Sequence, residues 1–291
     1  MAVAAKDRCT IVIATRNRRT TLLGTLGTLR ALHDGVPIVV VDNASRDGTS
    51  EAVRSAFAGV RVVVLPQNCG AAARNVGAEI AATPYVAFND DDTYWAPGSL
   101  GRAADLLDAH PSVAALCASV RVLPEASVDR ACRLMAHSEI EKRSACPGRA
   151  IASFMAGATV VRRDAFLAAG GFDPRYFIGA EESLLSIDLM SAGWELVYDE
   201  RLVVYHAPCS AERDSSLRRR LVTRNRLWTA WLRHSLPAAV RYTARVTLAS
   251  LRDRDTRRAI TDAVRGLGWI VRERRPMPRA VERRYATLSE L

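Results

Sequence analysis

Residues 85–95 read YVAFNDDDTYW, an apolar strand-like run that ends in three consecutive carboxylates, Asp90, Asp91 and Asp92, with aromatic residues directly behind them. Like charges this close repel, so the run calls for a counter-charge. Adjacent carboxylates at a strand end suit a hard divalent cation, because Mg²⁺ and Mn²⁺ prefer oxygen ligands and often share their coordination sphere with phosphates. A solvated turn or a helix cap needs one acid rather than three. A second polar strand end, Asp42 in IVVVDNAS, suits two roles equally: closing an Asx-turn, or accepting a hydrogen bond from a nucleotide base or ribose.

The elements that must position these residues alternate along the first half. CTIVIAT (9–15), VPIVVVDNAS (36–45), RVVVLP (61–66) and YVAFN (85–89) read as buried strands. Between them, residues 20–32 place Leu22, Leu26 and Leu29 at helical spacing, RDGTSEAVRSAF predicts a turn and a capped helix, and 69–82 predicts a third helix. Such alternation with short connections predicts a mostly parallel sheet covered on both faces. Ligands of such sheets sit beyond the carboxyl ends of the strands, which selects Thr15 to Asn17, Asp42 to Ser45 and Asp90 to Asp92 as one cluster. Neither a GxGxxG fingerprint nor a P-loop stands in these loops.

The second half is less regular. A strand is expected within 111–124, a polar connection over 125–150, and a strand, a helix opening near Asp164 and a Gly-Gly turn over 154–177. Residues 181–194 read as a helix and 195–206 as a hairpin or paired strands. From about 211 the pattern becomes Arg-rich helices punctuated by Pro237, Gly266, Gly268, Pro276 and Pro278.

Over 291 residues, 49% hydrophobic and 25% charged composition is ordinary for a globular chain. The net charge of +10 is uneven: residues 211–291 carry 20 Arg against eight acids, while residues 1–210 sum to −2. In RRRLVTRNRLWTAWLRHSL (218–236) arginines interleave with Leu227, Trp228, Trp231 and Leu232. Packing of that apolar face on the main body, a membrane interface and nucleic-acid binding are the readings, in that order of preference. The six cysteines show no CxxC spacing, which disfavours zinc and a disulfide framework and fits a reducing compartment. With no signal-peptide-like start and no membrane-length apolar run, the expected setting is cytoplasmic, with peripheral attachment to the inner face of the membrane as the variant the tail allows.

IVIATRNR, VVVDNASRDGT, NCGAAARNVGA, VAFNDDDTYWAPGSL and GGFDPRYFIGAEESLLSIDLMSAGWELVYDERLVVYH, in that order, resemble a family 2 glycosyltransferase of the GT-A fold over residues 8–210. The resemblance implies an α/β fold with a Rossmann-like nucleotide-binding half and a basic helical C-terminal extension. It divides the chain into 1–110 for the nucleotide sugar and 111–210 for the acceptor, a 1–210 catalytic domain followed by 211–291. It also implies a nucleotide-sugar site built by Thr15, Asn17, Asp42, Arg74, Asp90 and Asp91, and a divalent metal, Mg²⁺ or Mn²⁺, on Asp92 with His206 as a further contact. Where relatives carry Glu-Asp with the second acid as base, this chain has Glu181-Glu182; Glu182 is the expected catalytic base and Glu181 its alternative. On the acceptor side fall residues 154–159, Tyr176 and, less readily than in the core, Trp194.

The activity implied is an inverting single displacement, in which the base takes the proton of an acceptor hydroxyl and the oxygen attacks the anomeric carbon. Residues 125–150 or 207–217 are candidate lids. The acceptor is open among glycan, lipid-linked and small-molecule hydroxyls, and nucleic acid is the least favoured partner. Two competing readings are a nucleotide-sugar- or membrane-binding protein that has lost turnover, suggested by Glu-Glu in place of Glu-Asp, and a sugar nucleotidyltransferase, disfavoured by the lack of a Gly-rich basic loop after the first strand.

Overall fold

The computed structural model describes residues 5–208 and 215–286. After a single turn, α1 (Ala5–Arg8), the first half follows the expected alternation. Strands β1 (Cys9–Thr15), β2 (Ile38–Asp42), β3 (Val60–Val64) and β4 (Tyr85–Asn89) are separated by helices α2 (Arg19–Leu32), α3 (Thr49–Ala56) and α4 (Ala73–Ile80). β1, β2 and β4 are buried almost throughout, as Val/Ile-rich strands covered on both faces must be, whereas β3 is the half-exposed edge. The helical stripe holds: Leu22, Leu26 and Leu29 are all fully buried.

The rest of the main body supplies β5 (Thr93–Trp95), α5 (Ser99–Ala109), β6 (Val113–Val122), β7 (Ser127–Val128), α6 (Arg130–Ala136), β8 (Arg149–Ala150), β9 (Ala158–Arg162), α7 (Arg163–Ala168), α8 (Glu181–Ser191) and β10 (Glu195–His206). The described strands make one sheet in the order β3–β2–β1–β4–β9–β6–β10–β5, with β7 added to β6 and β8 to β10. It is mixed rather than mostly parallel. β3, β2, β1 and β4 run parallel, as expected, but β9 enters antiparallel to both β4 and β6. This reversal carries residues 154–158 to the carboxyl end of β4, with Asn89 opposite Ala158.

Two expectations change. Residues 195–206 form one strand of 12 residues rather than a hairpin. Asp-Glu-Arg at 199–201 looks like a turn but is absorbed as a register slip against β6, where Asp199 accepts hydrogen bonds from the Arg201 guanidinium at 2.8 and 2.9 Å. The polar connection at 125–150 contains β7, α6 and β8, and buried Glu195 fastens it by accepting the backbone N–H groups of Arg143 and Ser144 at 2.5 and 2.8 Å.

The Arg-rich tail folds into α9 (Ser215–Arg233), α10 (Leu236–Ser250), α11 (Arg254–Val264), α12 (Leu267–Glu273) and α13 (Arg279–Ala286). Leu227, Trp228 and Leu232 of α9 are buried in a second core with Tyr176, Leu184, Val246 and Ile270. The first of the three readings of the tail therefore holds for this face. Trp228 also donates to the Ala263 carbonyl at 3.0 Å and meets Tyr176 and Trp269 edge-on. Five described cysteines are free thiols; burial pushes those of Cys9 and Cys117 up to about 12 and that of Cys146 to about 11, so these three behave as inert core residues. Cys209 lies outside the described residues.

Candidate active site

Ladder register brings the polar strand ends together. Thr15 pairs with Asp42 across β1 and β2, while Ile13 pairs with Asn89 across β1 and β4. Beyond those ends, Thr15 Oγ1 donates to Asp91 Oδ2 at 2.8 Å, tying the first loop to the acidic triplet. Asn17 adopts a left-handed backbone (φ 52°), accepts from the Arg46 N–H at 2.8 Å and donates its own N–H to Ser45 Oγ at 2.9 Å, so it staples the first two loops. Asp42 is almost wholly buried and accepts from the Ser45 N–H at 2.8 Å. That bond reaches three residues on, one more than an Asx-turn, and closes the loop after β2.

The counter-charge that the triplet demands comes partly from two arginines. Arg18 places Nη2 2.9 Å from Asp92 Oδ2 and Nε 3.3 Å from Asp91 Oδ1. Arg74, on the first turn of α4, reaches Asp90 Oδ1 at 2.5 Å. Arg18 was not singled out by sequence; its signal was the unbalanced charge of three aspartates opposite an Arg-rich first loop. Burial pushes Asp91 up to about 6, with Asp92 and Asp90 adding to the rise and Arg18 and Thr15 opposing it. Gly157 is a second residue that sequence missed: a Cβ there would lie 2.4 Å from Asp90 Oδ2. The backbone leading into β9 comes so close to the triplet that a side chain at 157 would have to displace the Asp90 carboxylate.

Arg74 also connects the triplet to the acids of α8. Its charge acts on Asp90, Glu181 and Glu182 together. The approach is built by α4 and the segment before α8. Asn75 accepts from the Phe172 N–H and donates to the Phe172 carbonyl, both at 2.9 Å, and Ala71 N–H donates to the Phe177 carbonyl at 2.6 Å. Gly70 (φ 60°) abuts that same carbonyl, where a Cβ would stand at 1.9 Å. From the other side, fully buried Asn225 of α9 donates its side-chain amide to the carbonyls of Tyr176, Ile178 and Gly179 at 2.9, 3.2 and 2.6 Å.

The chain then enters α8 through Ala180 in a left-handed conformation (φ 62°) and delivers Glu181 and Glu182. Glu181 is buried, and its Oε2 has no hydrogen-bond partner among the described residues. Both carboxyls are held above their ordinary range. Glu182 is pushed up to about 7, first by desolvation and then by the charge of Glu181, against backbone hydrogen bonding from Ala156 and attraction from Arg74. Glu182 nevertheless keeps some surface open to solvent.

His206 arrives because β10 pairs with β5: His206 lies opposite Thr93, and Ala207 N–H donates to the Asp92 carbonyl at 2.9 Å. Its Nε2 stands 3.6 Å from Asp92 Oδ1. An anionic oxygen and an imidazole nitrogen at that separation fit Mn²⁺ or Mg²⁺, although no group of three or more such side chains is arranged for a metal among the described residues. The remaining ligands would have to be substrate phosphates or water, the usual habit of these cations.

All ten sequence-selected residues lie on the strand ends, loops and helix starts around this one end of the sheet. Tyr176 does not line the acceptor side: it is fully buried, hydrogen-bonded to Thr229 at 2.8 Å. Trp194 packs partly buried against the main core, with the Arg162 guanidinium 5.9 Å from its ring centroid.

A half-sheet of four parallel strands, an acidic triplet beyond their carboxyl ends and a carboxylate pair coupled to it through Arg74 define a GT-A-type transferase architecture. Residues 10–168 match the family model for glycosyl transferase family 2, and the chain belongs to that family. It is 29% identical over 213 residues to the N-acetylglucosaminyl-diphospho-decaprenol L-rhamnosyltransferase of Mycobacterium tuberculosis, spanning 62% of this chain and 69% of that protein. Among solved structures it is similar in fold to the mannosyltransferase PcManGT of Pyrobaculum calidifontis, in complex with GDP-Man and Mn²⁺, at TM-score 0.60 and 20% identity over 89% of this chain and 80% of that one. It is similar also to residues 1–349 of S. aureus TarS, at TM-score 0.58 and 19% identity, covering 77% of this chain and 65% of that one. The protein is a glycosyltransferase that uses a nucleotide-sugar donor.

Proposed function

We propose that this enzyme transfers a sugar from a nucleoside-diphosphate sugar to an acceptor hydroxyl with inversion, in one displacement, with Glu182 as the base. The observation that carries the reading is the Glu181–Glu182 pair, raised in pKa and joined through Arg74 to Asp90 at the carboxyl ends of the parallel strands. In this reading the nucleoside rests on Thr15, Asn17 and Asp42, with Asp91 toward the ribose. Asp92 and His206 would hold a divalent cation, whose charge would offset that developing on the leaving diphosphate. Arg18 and Arg74 keep the acidic triplet compact and supply positive charge beside the same phosphates.

Near neutral pH, Glu182 is poised between its two protonation states, as a general base should be, and Glu181 keeps its proton affinity high. The crevice must exclude water, since hydrolysis of the donor competes with transfer. A lid at 207–217 falls largely on residues 209–214, which lie outside the described residues. We place the working division of the chain at about residues 110 and 210, between donor half, acceptor half and helical extension.

No helix among the described residues is long and apolar enough to cross a membrane. Exposed Leu248, Leu251 and Val271 share α10–α12 and their flanks with arginines such as Arg241, Arg245, Arg252 and Arg272, which supports peripheral attachment to an anionic surface; we place that surface on the cytoplasmic side. The test of the reaction is a product assay. Incubation with a panel of nucleotide sugars and hydroxyl acceptors should yield a glycoside of opposite anomeric configuration to the donor; a retained configuration, or release of pyrophosphate in place of a glycoside, would exclude this mechanism.

A further inference from the structure

A cavity of about 430 Å³ opens on the N-terminal half of α9 against α11. Arg218, Val222 and Arg226 line it at intervals of four residues, one face of the helix, with Arg219 beside them. Two acids also line it, and both are committed elsewhere. Asp253 caps α11 by accepting the Thr256 N–H at 2.9 Å, and Asp255 accepts from Ser216 at 2.8 Å and pairs with Arg219 at 3.0 Å. Arg218 and Arg226 are exposed and make no hydrogen bond or ion pair with the described residues.

The cavity adjoins the catalytic acids through the same loop that α9 holds. Val222 packs on Gly179, where a Cβ would meet Val222 Cγ2 at 2.6 Å, and Asn225 grips the carbonyls of residues 176, 178 and 179. Two residues beyond Gly179 stands Glu181, whose carboxyl is within reach of the charge of Arg218. Two guanidinium forks that form no hydrogen bond or ion pair with the described residues, at the edge of a concave site, suit the oxygens of a phosphate, and the cavity has room for two phosphates in a row.

We propose that this cavity binds a phosphate or diphosphate group of a substrate and presents that substrate beside Glu181 and Glu182. The proposal rests on the catalytic reading above for the role of the two acids, but the anion site itself does not depend on it. The group belongs either to the acceptor or to the donor, and the chemistry recognised is the same.

Calorimetric titration of the full chain with inorganic pyrophosphate separates these sources. It is carried out alone and with a saturating nucleoside diphosphate plus Mn²⁺, on the wild type and on the Arg218→Ala, Arg226→Ala double variant, with thermal unfolding as the folding control. Loss of at least about tenfold in pyrophosphate affinity with nucleotide already bound, and unchanged nucleotide affinity, assigns the cavity to a phosphorylated acceptor. Equal loss of nucleotide affinity, with pyrophosphate displaced by nucleotide, assigns it to the donor. Absence of pyrophosphate binding by the wild type, or equal affinity in the double variant, overturns the proposal. Failure of the donor reading would show separately, as a wild type that binds pyrophosphate but no nucleoside diphosphate.

Discussion

At the scale of single residues, the protonation of Glu182 carries the sharpest consequence. As the proposed base it must be ionised, so kcat should rise with pH to a plateau above about 7. Glu182→Gln should lower kcat by about a thousandfold or more while preserving nucleoside diphosphate affinity, the pattern of a lost proton acceptor; undiminished transfer would remove Glu182 from the mechanism. Stability follows with a defined sign. Because the folded-state value lies above that of the unfolded chain, the folded protein holds a proton that the unfolded chain releases, and stability falls as pH rises from about 4.5 to about 7. Denaturation at pH 8 should therefore find Glu182→Gln more stable than wild type, an advantage that disappears below about pH 4.5. Gly157→Ala should displace Asp90 from Arg74 and weaken nucleoside diphosphate binding by about tenfold, the scale of one charge-assisted hydrogen bond. The triplet and Glu pair stood out in the sequence because clustered carboxylates and a motif order are local signals. Arg18, Gly157 and Asn225 did not, since each matters through a partner at least 46 residues away, Asn225 with Gly179 being the nearest such pair.

Between secondary-structure elements, α4 with the turn before it and α9 act as two jaws on residues 172–180. Asn75 and Ala71 hold the loop from the sheet side, and Asn225 holds it from the extension. Asn225→Ala would take its side-chain donor from the Gly179 carbonyl, while the Tyr176 carbonyl keeps the Ile178 N–H and Arg224 Nη2, and a lost buried hydrogen bond costs about 1–3 kcal/mol. Chemical denaturation should register that loss, and steady-state kinetics should show kcat falling more than nucleotide affinity, because the loop positions Glu181 and Glu182 rather than the donor. The parallel strands were legible from their Val/Ile runs, and α2 from its leucine stripe. The antiparallel insertion of β9 was not, because strand direction is fixed by pairing with distant β4 and β6 rather than by local pattern. Likewise Asp-Glu-Arg at 199–201 carries turn chemistry, yet the ladder with β6 resumes past it at Val203.

Over the whole molecule, the basic extension braces the catalytic body on one face and leaves apolar and arginine side chains on others. Its interior packing was the first expectation from Leu and Trp interleaved with Arg, and Leu227, Trp228 and Leu232 are buried accordingly. If the exposed side chains of α10–α12 meet a membrane, co-sedimentation should be strong with anionic vesicles, weak with neutral ones and reduced by salt. Leu251→Glu with Val271→Glu should abolish it without altering turnover of a soluble acceptor; equal sedimentation of that variant would remove these residues from the contact. The central claim is that the acidic triplet and His206 form a nucleoside-diphosphate site completed by a divalent cation. A calorimetric titration of nucleoside diphosphates, with and without Mn²⁺, into wild type and Asp92→Asn tests it most directly. The account predicts binding by at least one nucleotide that is strengthened by Mn²⁺ in the wild type and weakened by about a hundredfold in Asp92→Asn; no nucleotide binding in either condition, or equal binding by both proteins, would contradict it.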